Sequence, residues 1–202
     1  MRALLQALAV QRHDDHRFYH HSTINQALHL VSACCFVASY ALLFTHPVLA
    51  IVIGWMLAMI SRQVGHFFFE PKGYDDANRA THAHKEAIKI GYNLRRKVVL
   101  MAIWALSPLT LWFDPSLLGL FDKPSDLAGY LRNVAMLWAW IAIGALAFRA
   151  LQLAVQRDAR TGVVWVIKIL TDPFHDIKLY HKAPLHLLRG RLIDPESKAY
   201  VR

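Results

Sequence analysis

Histidine is the most prominent residue type in this chain that could do chemistry, since there are 12 of them in 202 residues. Neutral imidazole is the commonest metal ligand in proteins and suits iron, zinc and copper. The candidate ligands lie in the first half of the chain and are His20, His21, His29, His66, His82 and His84. Asn25 and Glu70 lie among them as candidate catalytic residues. A lone histidine at a membrane boundary is ordinarily only a polar residue, so a metal site has to be judged from spacing.

The spacing of these residues favours helix faces. His21, Asn25 and His29 follow one another at intervals of four residues, and Glu70 follows His66 at the same interval. Steps of four residues rotate by only about 40° on an α-helix, so such residues share one face. Glu70 could be a metal ligand, a carboxylate that orients a histidine, or a solvated surface charge.

The elements that must position these side chains are four apolar segments. The mean hydropathy of +0.27 is high for a soluble domain of this length. The segments are residues 28–44, 48–65, 98–113 and 134–155. A spanning helix needs about 20 apolar residues, and the second and third segments are short by that measure. We expect an all-α integral membrane bundle of about four transmembrane helices, with residues 1–202 as a single membrane domain and residues 156–202 as its tail.

The basic residues predict the orientation of this bundle. The formal charge of +9 is concentrated beside the apolar segments, so it indicates membrane topology and no nucleic-acid partner. Arginines precede the first segment, and arginines and lysines separate the second from the third and follow the fourth. Both termini and the long middle loop are therefore predicted to be cytoplasmic, in a bacterial inner membrane or the endoplasmic reticulum. Residues 1–12 predict a short amphipathic helix at the membrane surface and no signal peptide.

A hairpin of the first two spans would bring distant histidines together. The turn at His46–Pro47 follows His29 by 17 residues, and His66 follows the turn by about 20. These lengths correspond to roughly 25 and 30 Å of helix, so both side chains reach a similar depth at the cytoplasmic boundary. His82 and His84 could fold over the same place from the middle loop.

The remaining histidines are harder to assign. His46 lies on the opposite side of the predicted bilayer and is expected to be structural, and His13 and His16 are expected at the surface. The tail histidines, with Asp172 and Asp176, leave a second metal site open; they are His175, His181 and His186.

Other chemistries lack their motifs in this chain. Nucleotide-binding glycine loops, the serine-hydrolase elbow and the zinc-protease HExxH pattern are all absent from the sequence. Cys34 and Cys35 are adjacent within an apolar run, which indicates packing residues and no disulfide framework.

Two stretches resemble the membrane 2-hydroxy-fatty-acid dioxygenase family of fatty-acid alpha-oxidation. The first contains Tyr19, His20 or His21, Asn25 and His29 at the start of the first span. The second contains Gly65, His66, Phe69 and Glu70 at the end of the second span. The resemblance covers about a quarter of the chain, and after Glu70 the sequence departs from the family pattern.

The resemblance implies an iron(II)-dependent dioxygenase that cleaves 2-hydroxy fatty acids with O2 and removes one carbon. Its cofactor would be Fe(2+), and its partners would be the fatty-acid substrate, O2 and membrane lipids. Asn25 would hydrogen-bond the substrate or hold the second nitrogen of a ligand. Lys72, Arg95 or Arg96 could pair with the substrate carboxylate, or could serve membrane topology alone.

Two alternatives remain open at this point. A histidine-rich di-iron lipid hydroxylase or desaturase needs about eight histidine ligands, which this chain can supply if the terminal histidines take part. A non-enzymatic metal-binding membrane protein is the other alternative, although nearly apolar spans argue against metal transport.

Overall fold

The computed structural model describes residues 2–70, 72–76 and 78–194, and every regular element in these ranges is helical. The elements are α1 (Arg2–Tyr19), α2 (Thr23–Leu42), α3 (Pro47–Val52), π1 (Ile53–Met59), α4 (Ile60–Val64), π2 (Gly65–Phe69), α5 (His82–Ile88), α6 (Leu94–Phe113), α7 (Leu127–Gln156), α8 (Ala159–Tyr180) and α9 (Ala183–Leu188). The π segments are stretches in which the helix is wound more loosely than an α-helix. The prediction of an all-α chain is confirmed.

Four of these helical stretches are long and apolar enough to cross a membrane. They are Thr23–Leu42, Pro47–Phe69, Leu94–Phe113 and Leu127–Gln156. The chain is therefore a multi-pass membrane protein, as the hydropathy pattern predicts. The second span joins α3, π1, α4 and π2 into 23 residues, so it is longer than the predicted segment 48–65.

Polar caps explain why three spans begin earlier than the apolar segments predict. The side chains of Ser22, Asn93 and Asp126 accept hydrogen bonds from backbone N–H groups three residues later. Such caps satisfy donors that have no partner within the helix, so the helix can begin in polar sequence. Hydropathy marks only the apolar part of each helix, whereas capping decides where the helix begins.

Three tryptophan side chains pack against one another between the second, third and fourth spans. Trp55 of π1 stacks on Trp104 of α6 with ring centroids 5.4 Å apart, and Trp104 contacts Trp138 of α7 at 5.3 Å. The indole N–H of Trp55 also donates to the Trp138 carbonyl at 3.0 Å. Aromatic pairs at these separations contribute packing energy beyond their buried area.

The segment predicted as a tail packs against the bundle as α8. This amphipathic helix contacts α1, α2 and α7. At Gly162 a Cβ atom would lie 2.5 Å from the Ala150 carbonyl oxygen, so α7 and α8 approach each other closely. Beyond α9 the chain returns to the start of α2, where Leu192 accepts a hydrogen bond from the Thr23 N–H. Residues 159–194 thus cover the ends of α1 and α2.

Candidate metal centre

The junction between α1 and α2 positions the first candidate ligand. Asn25 and Gln26, on the first turn of α2, donate their side-chain amides to the carbonyls of Tyr19 and His20 at 3.0 and 2.9 Å. Gln26 also donates to Asp194 at 2.6 Å. These bonds satisfy the carbonyls that α1 leaves unpaired at its end. The turn is thereby held in one conformation, with the His20 side chain buried.

A close contact between α2 and π2 positions the other two ligands. At Gly65 a Cβ atom would lie 2.1 Å from Asn25 Oδ1, so only glycine allows these helices to approach at this distance. The approach brings His29 of α2 beside His66, which is the next residue after Gly65. Single π turns in helices are frequent at functional sites, because they re-aim side chains.

Three histidines meet at this point. The ring centroids of His20 and His29 are 4.2 Å apart, those of His29 and His66 are 4.9 Å apart, and those of His20 and His66 are 5.4 Å apart. All three side chains are buried. Each offers a nitrogen, and these three nitrogens lie within 4.8 Å of one another.

An oxygen of another side chain lies near one ring nitrogen of each histidine. Nδ1 of His20 is 2.8 Å from the Tyr180 hydroxyl, and Nδ1 of His66 is 2.6 Å from Glu70 Oε2. Nδ1 of His29 is 3.7 Å from Asp176 Oδ2. Metal-binding histidines commonly use one nitrogen for the ion and the other for such an oxygen, which sets the tautomer and the ring orientation.

The residues present fit a metal ion. Nε2 of His20 and both ring nitrogens of His29 are buried without a hydrogen-bond partner in the described ranges, and Asp176 Oδ2 lies beyond hydrogen-bond distance of His29 Nδ1. Unpaired buried nitrogens are costly, so each calls for an explanation, and a bound ion provides one. Three atoms no more than 4.8 Å apart have a common centre within about 2.8 Å of each, whereas metal–imidazole bonds are about 2.0–2.1 Å. Shifts below about 1 Å would therefore close the site around an ion.

The surroundings keep the site in the protonation state that a metal requires. Burial lowers the pKa of His20 well below its ordinary value, and the neighbouring His29 adds to this effect. Burial raises the pKa of Asp176, but Arg62 and His29 more than offset it, so that its pKa is about 2. His20 is thus neutral and Asp176 ionised at pH 7, and neutral imidazole is the form that binds metal.

The other predicted ligands lie outside this cluster. His21 Nε2 is 3.7 Å from Asp75 Oδ2, and His21 is not part of the group of three. His82 and His84 lie in the first turn of α5, where His84 is exposed and His82 is partly exposed. The structure therefore brings together three of the six predicted ligands.

The two predicted catalytic residues lie beside the cluster, in supporting positions. Asn25 donates to the Tyr19 carbonyl, and its Oδ1 faces Gly65. Glu70 lies between His66 and Lys89, whose ammonium group is 3.4 Å from Glu70 Oε1. Burial raises the pKa of Glu70, and Lys89 offsets this only in part.

Two residues of α8 were missed by the sequence analysis as parts of this site. Tyr180 and Asp176 hold His20 and His29 from the far end of the chain. Asp172, Asp176 and Tyr180 recur at intervals of four residues on one buried face of α8. A polar stripe of this kind, in a helix whose other residues are largely apolar, is the signal that could have indicated them.

A network of ion pairs attaches α8 around these residues. Arg62 of α4 pairs with Asp176 at 3.1 Å, and Arg12 of α1 pairs with Asp172 at 3.2 Å. Lys168 pairs with Asp172 and with Asp15 of α1. Burial lowers the pKa of Lys168, but Asp15 and Asp172 more than offset this, so its pKa lies above the ordinary value. Lys168 is therefore charged at neutral pH, and the ion pairs hold α8 against α1 and α4.

Comparison of the chain with models of protein families, with curated proteins and with solved structures finds no match. The fold and the site define a class by themselves. The chain is an all-α, multi-pass membrane protein with a buried group of three histidines that could hold a metal ion at the end of its first two spans.

Proposed function

We propose that this protein is an iron(II)-dependent dioxygenase that uses O2 to remove one carbon from 2-hydroxy fatty acids. The observation that carries the proposal is the geometry of the three histidines. Nδ1 of each lies near an oxygen of another side chain, and among the described residues Nε2 of His20 and both ring nitrogens of His29 are buried without a hydrogen-bond partner. Three protein ligands leave coordination positions open for substrate and O2.

The position of the site suits an acyl substrate. His29 lies about two turns into the first span, and His66 lies one turn before the end of the second. A fatty acid could place its 2-hydroxycarboxylate at the histidines while its hydrocarbon chain stays among apolar helices. When bound, Fe(II) would supply the site at which O2 and the hydroxycarboxylate meet.

The chain's own residues have three roles in this proposal. His20, His29 and His66 hold the ion, and Tyr180, Asp176 and Glu70 fix the rings. Asn25 and Gln26 hold the junction that carries His20. The overall reaction balances with O2 as the only oxidant: the C1–C2 bond breaks, C1 leaves as CO2, C2 becomes the carboxyl carbon of the shortened acid, and one water forms.

The number of clustered histidines favours this proposal over a di-iron lipid hydroxylase or desaturase. A di-iron site needs a second set of ligands, and the described residues contain one group of three or more potential ligands, the three histidines. The tail histidines lie on α8, at its end and on α9; they are His175, His181 and His186. A ratio of one iron per chain is therefore the expected metal content.

We further propose that the site faces the cytoplasm. The membrane would be either a bacterial inner membrane or that of the endoplasmic reticulum. The support is the basic charge that flanks the spans on the side of both termini. The partners would be the fatty acid, O2 and membrane lipids, with no nucleic acid.

The proposal is tested with detergent-purified protein loaded with Fe(II) under anaerobic conditions. Metal analysis should give one iron per chain, and exposure to O2 with 2-hydroxypalmitate should give pentadecanoic acid, detected by mass spectrometry. Palmitate, which lacks the 2-hydroxyl group, should stay unchanged and serves as the control. Iron-loaded protein that leaves 2-hydroxypalmitate intact would refute the substrate, and two irons per chain would favour the di-iron alternative.

A further inference from the structure

Helix α8 has its charged side chains inside the bundle and apolar side chains outside. Lys168, Asp172 and Asp176 are all buried. In residues 161–177 every exposed side chain is apolar, and these side chains are Val163, Ile169, Leu170 and Phe174. Surface helices of water-soluble proteins have the opposite arrangement, with polar residues outside. The outer face of α8 is therefore suited to apolar surroundings.

Contacts with α2 place this outer face within the depth of the membrane. The rings of Tyr40 and Phe174 lie 6.2 Å apart, and the Tyr40 hydroxyl donates to the Leu170 carbonyl at 3.3 Å. Tyr40 lies two residues before the end of α2, which is one of the four spans. Asp176 lies beside His29, which is about 16 Å nearer the start of the same helix. Helix α8 thus runs alongside α2 into the second half of the span, and its outer face continues the apolar surface of the spans.

A basic segment, residues 178–193, follows this face and contains no acidic residue. Its exposed cations are Lys178, Lys182, Arg189 and Arg191, and its exposed apolar side chains are Leu179, Leu185, Leu188, Leu192 and Ile193. None of the four cations forms an ion pair within the part of the chain that the structure describes. The Leu192 carbonyl accepts a hydrogen bond from the N–H of Thr23, so the segment lies where the first span begins. Exposed leucines among lysines and arginines are typical of segments at the level of lipid headgroups.

We propose that α8 and the basic segment form a lipid-binding surface. The outer face of α8 lies against acyl chains, and the basic segment binds the headgroups of anionic phospholipids. A water-soluble partner could not reach a face that lies beside the second half of a span. The positive charge of the segment selects anionic over zwitterionic headgroups, and it would repel the same segment of a second copy of the chain. This inference does not depend on the proposed reaction.

The depth of the outer face is tested by spin labelling of the full chain in nanodiscs of phosphatidylcholine and phosphatidylglycerol. Cys34→Ala and Cys35→Ala remove the native thiols, and Phe174→Cys introduces the labelling position. Ile143→Cys, on the fourth span, is the lipid-facing control, because Ile143 is 56% exposed and Phe174 is 57% exposed. Lys123→Cys, at an exposed position between α6 and α7, is the control in water. The labels at residues 174 and 143 should collide more often with O2 than with a water-soluble nickel complex, and the label at residue 123 should show the reverse.

The headgroup contact is tested with two short-chain probes, dioctanoyl-phosphatidylglycerol and dioctanoyl-phosphatidylcholine, titrated into the full chain in detergent by calorimetry. The unmodified protein should bind the anionic probe more tightly. Lys182→Gln/Arg189→Gln should weaken binding of that probe by about five-fold for each cation lost, and should leave binding of the zwitterionic probe unchanged. Lys123→Gln/Arg132→Gln is the matched control, because it removes the same two charges at exposed positions near the other end of the spans. It should bind both probes as the unmodified protein does.

Each half of the proposal has its own contrary result. A label at residue 174 that collides mainly with the nickel complex would overturn the membrane placement of α8, and Leu170→Cys gives the same measurement if Phe174→Cys does not fold. Equal affinities of the unmodified protein for the two probes would overturn the binding of anionic headgroups. The same conclusion would follow if the two double variants bound the anionic probe equally well. Neither measurement involves iron or turnover, so failure of the proposed reaction would leave both results unaffected.

Discussion

Each of the three clustered histidines has a side-chain oxygen near its Nδ1. Tyr180 and Asp176, both of α8, lie beside His20 and His29, and Glu70, directly after the second span, lies beside His66. A proton on Nδ1 that points at one of these oxygens leaves Nε2 unprotonated and available to a metal. At the scale of residues, the site is therefore a set of nitrogens whose tautomers are chosen by their neighbours.

Replacing a ligand should abolish metal binding. In His29→Ala or His66→Ala two imidazoles remain, and an open site with two ligands does not retain an ion through purification. Iron content measured by mass spectrometry should fall from one per chain to near zero. His84→Ala, which removes an exposed histidine of α5, should keep its iron. Full iron retention in both ligand variants would refute the site.

Removing an orienting oxygen should weaken the site without destroying it. Tyr180→Phe keeps the ring but loses the hydroxyl group 2.8 Å from His20, and we expect the dissociation constant for the metal to rise about 10- to 100-fold. Tyr130→Phe is the matched control, because its hydroxyl donates to the Pro108 carbonyl in another part of the bundle. Competition with a chelator measures both constants, and equal affinities in the two variants would argue against the role of Tyr180.

At the scale of elements, the site depends on how closely α2 approaches π2. The contact is set by Gly65, which faces the side chain of Asn25, and Asn25 in turn donates to the Tyr19 carbonyl. Its amide therefore cannot move away freely when the space is filled. The same contact that joins two spans also holds the turn that carries His20.

Gly65→Ala should therefore damage both stability and metal binding. The added Cβ would lie 2.1 Å from Asn25 Oδ1, and we expect a loss of about 1–3 kcal/mol in the free energy of unfolding, as is typical of overpacked cores. Metal affinity should fall in parallel, because His29 and His66 move apart. Gly144→Ala is the control, since a Cβ there meets no atom within 4 Å. Denaturant titration in detergent measures the first effect, and an unchanged midpoint for Gly65→Ala would contradict it.

At the scale of the whole molecule, α8 connects the two ends of the chain. Its acids pair with Arg12 of α1 and Arg62 of α4, and its Lys168 pairs with Asp15. These pairs are long-range in sequence and largely buried, so each element depends on the presence of the others. The segment predicted as a tail therefore forms one side of the site.

Asp172→Asn should weaken the attachment of α8 to the rest of the bundle. The change leaves Arg12 and Lys168 with one anionic partner fewer, and an incompletely paired buried charge costs about 1–3 kcal/mol. Thermal unfolding should begin at a lower temperature, and limited proteolysis should release α8 earlier. Asp122→Asn, at an exposed position between α6 and α7, should change neither. Identical proteolysis of the two variants would show that the network does not hold α8.

The sequence alone determined the number of spans and the similar depth of two of the three clustered histidines. Hydropathy is a local property, and helical rise is constant, so the number of spans and the meeting of His29 with His66 could be predicted from residue counts. Glu70 could be proposed as an orienting carboxylate for the same reason, since an interval of four residues places it beside His66.

Only the tertiary structure decided the rest. His20 and His21 are adjacent and chemically identical, and the turn between α1 and α2 is what directs one toward the centre and the other toward Asp75. Tyr180 and Asp176 lie more than a hundred residues along the chain from the histidines beside which they pack. The hydrophobic periodicity of one segment does not indicate which distant helix will pack against that segment. Packing between elements is a long-range property, so the identity of the third clustered histidine and of the oxygens beside the group appeared only when the helices were assembled.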